Sequence, residues 1–291
     1  MKLVTYELDG KVSVGIIGAD ENKIVPVAEL GYDCSDMVSF IYAIGGAVSD
    51  ELKNKVEAAK GVSFAVCKLL SPIPQPAQDI LCLGVNYKDH QDETIKAGVA
   101  YDKSKTNTIY FGKRLNRAVA PNEPIDGHFN IVDSLDYEVE LAVVIGKDAK
   151  DVALEDVQDY ILGYTILNDV SARNLQKKHQ QWYFGKSLDD FTPIGPWIVT
   201  ADKFDGIPKV GIRCYVNGEL RQNSNTSLLI NPIDFIIHEL SQGMTLKAGT
   251  IIATGTPSGV GMGMDPQVWL KSGDVVRCEI DGIGVLENPV K

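Results

Sequence analysis

Asp136, Glu138 and Glu140 occupy alternate positions in the run Asp136-Tyr137-Glu138-Val139-Glu140-Leu141-Ala142-Val143-Val144-Ile145. In an extended strand, period two puts these carboxylates on one face and Val139, Leu141, Val143 and Ile145 on the other. Same-face neighbours sit about 7 Å apart along a strand, so Glu138 and Glu140 repel unless they face water or converge on a cation. An all-oxygen set suits a hard divalent ion, Mg²⁺ or Mn²⁺ with Ca²⁺ also admissible, better than zinc. The plainer reading of Glu-x-Glu alone is a strand with a solvated acidic face. Asp169 is the natural third ligand, because it stands where the apolar run Ile161 to Leu167 gives way to a helix. Three carboxylates would leave the remaining octahedral positions to water or to a substrate chelating through two oxygens. The plainer alternative for Asp169 is an ordinary acidic residue at a helix N-terminus.

His90 and Glu93 are three apart in the polar stretch Asn86 to Glu93, hence on one face of a helix. A Glu holding a His, or the reverse, is the minimum apparatus for drawing a proton from water; without a site beside it, the pair is surface decoration. Lys186 lies between glycine and serine, and Arg173 and Gln176 lie on the helix after Asp169. They gain meaning only if they meet the metal. Gly255-Thr256-Pro257-Ser258-Gly259 has the character of a loop whose backbone N–H groups bind a carboxylate, and it lacks the ending and length of a P-loop.

The elements that must position these residues fall into two parts. Residues 1–70 form a small α+β unit: a hairpin about Asp9-Gly10, then helical segments over 37–44 and 51–59, the second capped by Ser49 or Asp50. Residues 71–76, Ser-Pro-Ile-Pro-Gln-Pro, are a stiff connector. Residues 77–291 hold the chemistry, with strands over 80–84, 108–111, 136–145, 161–167 and 197–199, and hairpins over 210–221 and 273–286. Helices are expected from 86, after a Ser171 cap, and over 232–240; segment 98–108 is polar, aperiodic and expected to be mobile, and 185–196 is a glycine and proline loop. Few helices and many strands favour a rolled or barrel-like mixed sheet over a doubly wound one.

Bulk composition narrows the function classes. A chain of 291 residues with 44% hydrophobic residues can bury a substantial core. Its net charge of −11 argues against nucleic acid, which calls for a basic cluster. No apolar run approaches a membrane span and the N-terminus enters a strand pattern directly, so a cytoplasmic, non-membrane protein is expected. Five scattered cysteines without a C-x-x-C pair read as reduced thiols.

The motifs Asp136-Tyr137-Glu138-Val139-Glu140-Leu141, Asn168-Asp169-Val170-Ser171-Ala172-Arg173, Gly185-Lys186-Ser187 and Thr254-Gly255-Thr256-Pro257-Ser258-Gly259-Val260-Gly261 resemble, in this order, those of the fumarylacetoacetate hydrolase family. The match spans roughly residues 75–291. Gly84-x-Asn86-Tyr87-x-x-His90-x-x-Glu93 is similar to the branch holding acylpyruvases and oxaloacetate decarboxylases, in which the His/Glu pair rides on a short helix that orders as a lid. The resemblance implies a mixed β-roll catalytic domain, a homodimer, and Mg²⁺ or Mn²⁺ held by Glu138, Glu140 and Asp169. It also implies that Arg173, Gln176 and Lys186 surround the reacting carbonyl, that Gly255 and Thr256 meet the substrate carboxylate, and that Lys113 takes the place of a family lysine. Arg114 stands where the family has proline, and Leu115 to Arg117 are not typical.

The expected reaction is C–C cleavage in a 2,4-dioxo acid. The 1-carboxylate and 2-keto oxygen chelate the metal, and Glu93 with His90 activates a water that attacks C4. Lys186 and Gln176 stabilise the oxyanion, and the metal takes up the charge of the departing pyruvate enolate. Oxaloacetate decarboxylation and isomerisation of the 2-hydroxyhepta-2,4-diene-1,7-dioate type reach the same enolate and are the alternatives. A non-catalytic metal-binding scaffold is the rival from another class.

Overall fold

The computed structural model describes residues 1–96, 107–179 and 181–291. Most of the segment expected to be mobile, residues 98–106, lies outside the described residues.

Lys2–Leu8 and Lys11–Ile17 pair as the expected hairpin. Asp9 and Gly10 both take positive φ, 51° and 76°, the pairing that a tight hairpin turn demands and that these two residue types tolerate. This hairpin opens an eleven-stranded mixed sheet among the described residues. Its path runs Val62–Ser63, Lys23–Pro26, Lys11–Ile17, Lys2–Leu8, Ile194–Thr200, Ile161–Asn168, Val139–Ile145, Ile251–Ala253, Ile80–Gly84 and Ile109–Lys113, with Lys68–Leu69 joined to Lys2–Leu8 off that path. All neighbours are antiparallel except Ile251–Ala253 with Ile80–Gly84. A second, four-stranded sheet (Gly211–Val216, Glu219–Asn225, Val275–Ile280, Gly284–Pro289) packs on the first. The molecule is therefore strand-dominated, with short helices at its margins.

The proline segment does not separate two bodies. Lys2–Leu8 pairs with Ile194–Thr200, Leu3 facing Ile198, so the sheet passes straight from the N-terminal unit into the rest of the chain. Ser71, Pro72 and Ile73 are buried. The Thr5 hydroxyl donates to Pro72 O (2.7 Å) and Ala118 N–H to Pro74 O (2.8 Å), while Ile73 joins a core containing Leu3, Phe40, Ala142 and Val144. Proline pre-sets an extended backbone without an amide donor, which suits a buried spacer as well as an exposed linker.

Two local expectations change. Ser171 does not cap the following helix: Arg173–Lys178 starts after Ala172 with no side-chain cap. Ser171 instead pairs with Asp136 in a two-residue ladder and donates to Asp169 O (2.8 Å). The glycine and proline loop also begins with a helical turn, Tyr183–Lys186.

The strand Val139–Ile145 is buried along its whole length. Val139, Leu141 and Val143 pack against Ile212, Cys214, Val276 and Cys278 of the second sheet. Ala142 and Val144 pack against the N-terminal unit. The acidic face is thus covered rather than solvated, which forces its carboxylates to find partners inside. Among the described residues no helix is long and apolar enough to cross a membrane.

Candidate active site

Register brings the three acids together. Leu167 lies opposite Glu140 and Asn168 opposite Val139, so the chain leaving that strand delivers Asp169 beside Glu138. Two hydrogen bonds lock the corner: Asp169 N–H to Glu138 O (2.8 Å), and Glu138 N–H to the Asn168 side-chain oxygen (3.0 Å). Glu138, Glu140 and Asp169 are all buried, with one carboxylate oxygen of each within 4.8 Å of the others.

Three buried cations surround them. Lys186 Nζ lies 2.8 Å from Glu138 Oε2 and 2.6 Å from Asp169 Oδ2. Lys113 Nζ lies 2.7 Å from Asp169 Oδ1 and donates to the carbonyls of Val170 (2.9 Å) and Lys186 (2.5 Å). Arg173 reaches Glu138 Oε1 through Nη2 (2.6 Å), Asp136 Oδ2 through Nε (2.8 Å) and the Gln176 carbonyl through Nη1 (3.0 Å).

The electrostatics differ among the acids. Burial would raise the Glu138 pKa, but Lys186 and Arg173 outweigh it and hold the carboxyl well below its usual range. Glu140 is pushed well above that range by burial and by the charges of Asp169 and Glu138, which Lys186 and the Gly255 N–H only partly offset. Burial acts to lower the Lys186 pKa, yet Asp169 and Glu138 prevail and raise it; for Lys113 burial prevails and lowers it.

His90 and Glu93 share one face of the helix Lys88–Lys96, as their spacing requires. Glu93 spends both oxygens: Oε2 meets His90 Nδ1 at 2.9 Å, and Oε1 accepts Gly259 N–H at 3.0 Å. This is a Glu holding a His. With Nδ1–H donating to Glu93, Nε2 carries the lone pair, and the ring is near enough to help lower the Glu138 pKa.

The loop after Ile251–Ala253 supports the acids directly. Gly255 N–H donates to Glu140 Oε2 (2.7 Å), and at φ 98° a side chain there would press on Asn86 Cβ. The Thr256 hydroxyl donates to Val139 O (2.8 Å). Lys113 and Thr256, expected from the resemblance among the substrate contacts, are both buried and engaged with the protein; Gln176 is half-buried, its amide nitrogen left over from the bond to Arg173.

Two further residues of the site have roles that the sequence does not mark. Gln222, fully buried, accepts Val139 N–H (3.0 Å) and donates to Thr256 Oγ1 and Pro257 O (both 2.8 Å), tying the acidic strand to the loop. It lies in the polar run Glu219–Asn225, indistinguishable there from an exposed hairpin residue. Asp136 anchors Arg173 and accepts N–H from Gly261 (2.7 Å) and Met262 (3.1 Å). Its parity with Glu138 and Glu140 was visible; its role as counter-ion was not.

Residues 79–291 match the family of the fumarylacetoacetate (FAA) hydrolase C-terminal region. The chain belongs to that family. It is 39% identical to the oxaloacetate tautomerase YisK of Bacillus subtilis (strain 168), over the whole of both chains. Among solved structures, it is 39% identical to the fumarylacetoacetate hydrolase of Exiguobacterium antarcticum, with a TM-score of 0.84 over 100% of this chain and 99% of that one. It is 29% identical, with a TM-score of 0.77, to the maleylpyruvate hydrolase of Sphingobium sp. SYK-6 solved with manganese(II) and pyruvate, covering 100% and 98% of the two chains. The fold and the family are those of enzymes.

The donor set fits a hard divalent ion. The three buried carboxylates converge as an all-oxygen set, and no cation lies in hydrogen-bond contact with Glu140 among the described residues; a divalent ion there would offset the repulsion from Asp169 and Glu138 that, with burial, raises its pKa. The Tyr87 hydroxyl, close enough for Glu140 to raise its pKa, is wholly buried and has no hydrogen-bond partner among the described residues. An acidic centre with a polar group left over is what an ion and its remaining ligands would complete.

Proposed function

We propose that this family member interconverts the enol and keto forms of oxaloacetate or a closely similar 2-oxo dicarboxylate, with Mg²⁺ or Mn²⁺ held by Glu138, Glu140 and Asp169. The observation that carries this reading is the dyad. With both Glu93 oxygens engaged, the basic atom left without a hydrogen bond among the described residues is His90 Nε2, one nitrogen suited to moving one proton. His90 Nε2 takes a proton from C3; the C–H electron pair forms the C2–C3 double bond, the 2-oxygen takes up the charge, and the His90 imidazolium returns its proton to that oxygen, giving the enol and the free base. Lys186, kept cationic by Asp169 and Glu138, holds positive charge beside that oxygen, and the free Gln176 amide nitrogen offers a donor. When bound, the ion supplies Lewis acidity for the 2-oxo acid. The full-length identity to a tautomerase of this substrate supports the assignment.

Hydrolysis of acylpyruvates is the second reading, favoured by the similarity to maleylpyruvate hydrolase. It would use His90 Nε2 to deprotonate water, with Glu93 orienting the ring. The test is one panel with Mg²⁺ or Mn²⁺ and an EDTA control: decay of enol-oxaloacetate absorbance, CO₂ release, and pyruvate release from acetylpyruvate and maleylpyruvate. Accelerated enol decay without stoichiometric pyruvate or CO₂ supports the tautomerase; dominant pyruvate release from acylpyruvates replaces it with the hydrolase. Turnover unchanged by EDTA would remove the metal from either. A homodimer belongs to the same reading, and a monomeric mass by light scattering would contradict it.

A further inference from the structure

The loop that receives the lid helix contains one glycine whose lack of a side chain has a specific use. Gly263 ends the short turn Gly261–Gly263, against which Lys88–Lys96 packs. A Cβ built on Gly263 would fall inside the Glu93 side chain, overlapping Oε1, Cδ and Cγ together. Gly263 does not take a positive φ, so alanine is compatible with its backbone, and the three atoms nearest to its added Cβ all belong to Glu93. Gly259, four residues earlier, supplies the N–H that Glu93 Oε1 accepts. Between them the same loop gives Gly261 and Met262 N–H to Asp136, which holds Arg173, which in turn pairs with Glu138.

We infer that Gly263 is a positioning residue: the space at its Cα is the seat of the Glu93 carboxylate, and it sets the orientation of His90 over the acidic centre. A methyl group at this seat must displace the carboxylate, because the other overlapped atoms belong to the same side chain. Displacement breaks both bonds of Glu93, to Gly259 N–H and to His90 Nδ1. The imidazole then loses the acceptor that holds its ring and tautomer, while Arg173, bonded to Asp136, Glu138 and Gln176 and not to Glu93, keeps its partners. The inference rests on the reading that His90 is the proton-transfer group, but its structural half does not depend on which reaction is catalysed.

The experiment compares wild type, Gly263→Ala, Glu93→Ala and the double variant. Amide hydrogen exchange across 88–96 should be about tenfold faster or more in Gly263→Ala, the scale of one lost charge-assisted hydrogen bond, with exchange in the core strands unchanged. Turnover should change in the same way in Gly263→Ala as in Glu93→Ala, kcat falling while KM moves less than about twofold, because the imidazole loses the same carboxylate in both. In the double variant the Glu93 atoms that the added methyl overlaps are gone, so Gly263→Ala should change exchange less than about twofold on the Glu93→Ala background, a non-additivity that a general packing defect lacks. Unchanged exchange and an unchanged kcat in Gly263→Ala overturn the inference, and so does full additivity. Faster exchange, non-additive with Glu93→Ala, together with no turnover by wild type on the substrate panel, would leave the seat standing and remove the functional reading.

Discussion

The acidic centre and the His90/Glu93 dyad both depend on glutamate carboxylates and are held in place very differently. Glu138, Glu140 and Asp169 sit at the ends of core strands, and each carboxylate is engaged by a buried cation or a backbone N–H. Removing any one partner strands a charge in the interior. His90 and Glu93 ride on a nine-residue helix at the margin, joined to the loop by one hydrogen bond and one vacant volume. The centre is over-determined and the dyad conditional. A site that must hold an ion needs the first, and one that must admit and release substrate needs the second.

The comparison breaks most visibly at the ligands. Alanine at Glu138, Glu140 or Asp169 should lower metal-dependent turnover by at least about 10⁴-fold, roughly 5 kcal/mol on the barrier, since two carboxylates hold a strongly hydrated ion poorly. Steady-state rates with titrated Mn²⁺ check this, and rescue by excess metal would show the ligand set to be smaller. Next comes Lys113→Met, which leaves Asp169 Oδ1 and two carbonyls unpaired in the interior. Breaking a buried pair costs about 3 to 5 kcal/mol, read from the denaturant midpoint; a loss below about 1 kcal/mol would mean that the centre is less rigid than its geometry.

Glu93→Gln should leave that midpoint nearly unmoved and reduce kcat/KM by about 10- to 100-fold, roughly 1.4 to 2.7 kcal/mol. The amide keeps the shape but cannot stabilise imidazolium. An effect within about threefold of wild type would exclude the dyad from proton transfer. The smallest effect concerns the contact of the N-terminal unit with the body. Asp148 accepts from Tyr42, Lys247 and the Ala248 N–H, and its pKa is lowered from 3.8 to about 2 by those bonds. The folded pKa lies below the unfolded one, so the contribution is complete above pH 4 and is lost as pH falls through about 2. The stability difference between wild type and Asp148→Asn should accordingly shrink between pH 4 and pH 2, and a difference that persists at pH 2 would deny the linkage.

Much of the centre was legible in the chain itself. Period two put Asp136, Glu138 and Glu140 on one face, spacing of three put His90 and Glu93 on another, and the end of an apolar run marked Asp169. Asp9-Gly10 announced its hairpin and Ser49 its helix cap, the latter accepting Leu52 N–H. These signals are local: each depends on residues within a few positions, whose backbone periodicity is set before any tertiary contact forms.

What neighbours in sequence could not convey, long-range pairing decided. Whether the acidic side of the strand meets water or a protein interior depends on the N-terminal unit, more than sixty residues away in sequence. The proline segment carries the same composition whether it links two bodies or is built into one core; pairing of Leu3 with Ile198 chose the latter. Whether Glu93 holds His90 or His90 holds Glu93 turned on an N–H supplied from Gly259, and Gln222 entered the site from a strand with no pattern to mark it. A side chain's type determines which bonds it can make, but a donor that arrives from across the fold determines which of them it does make.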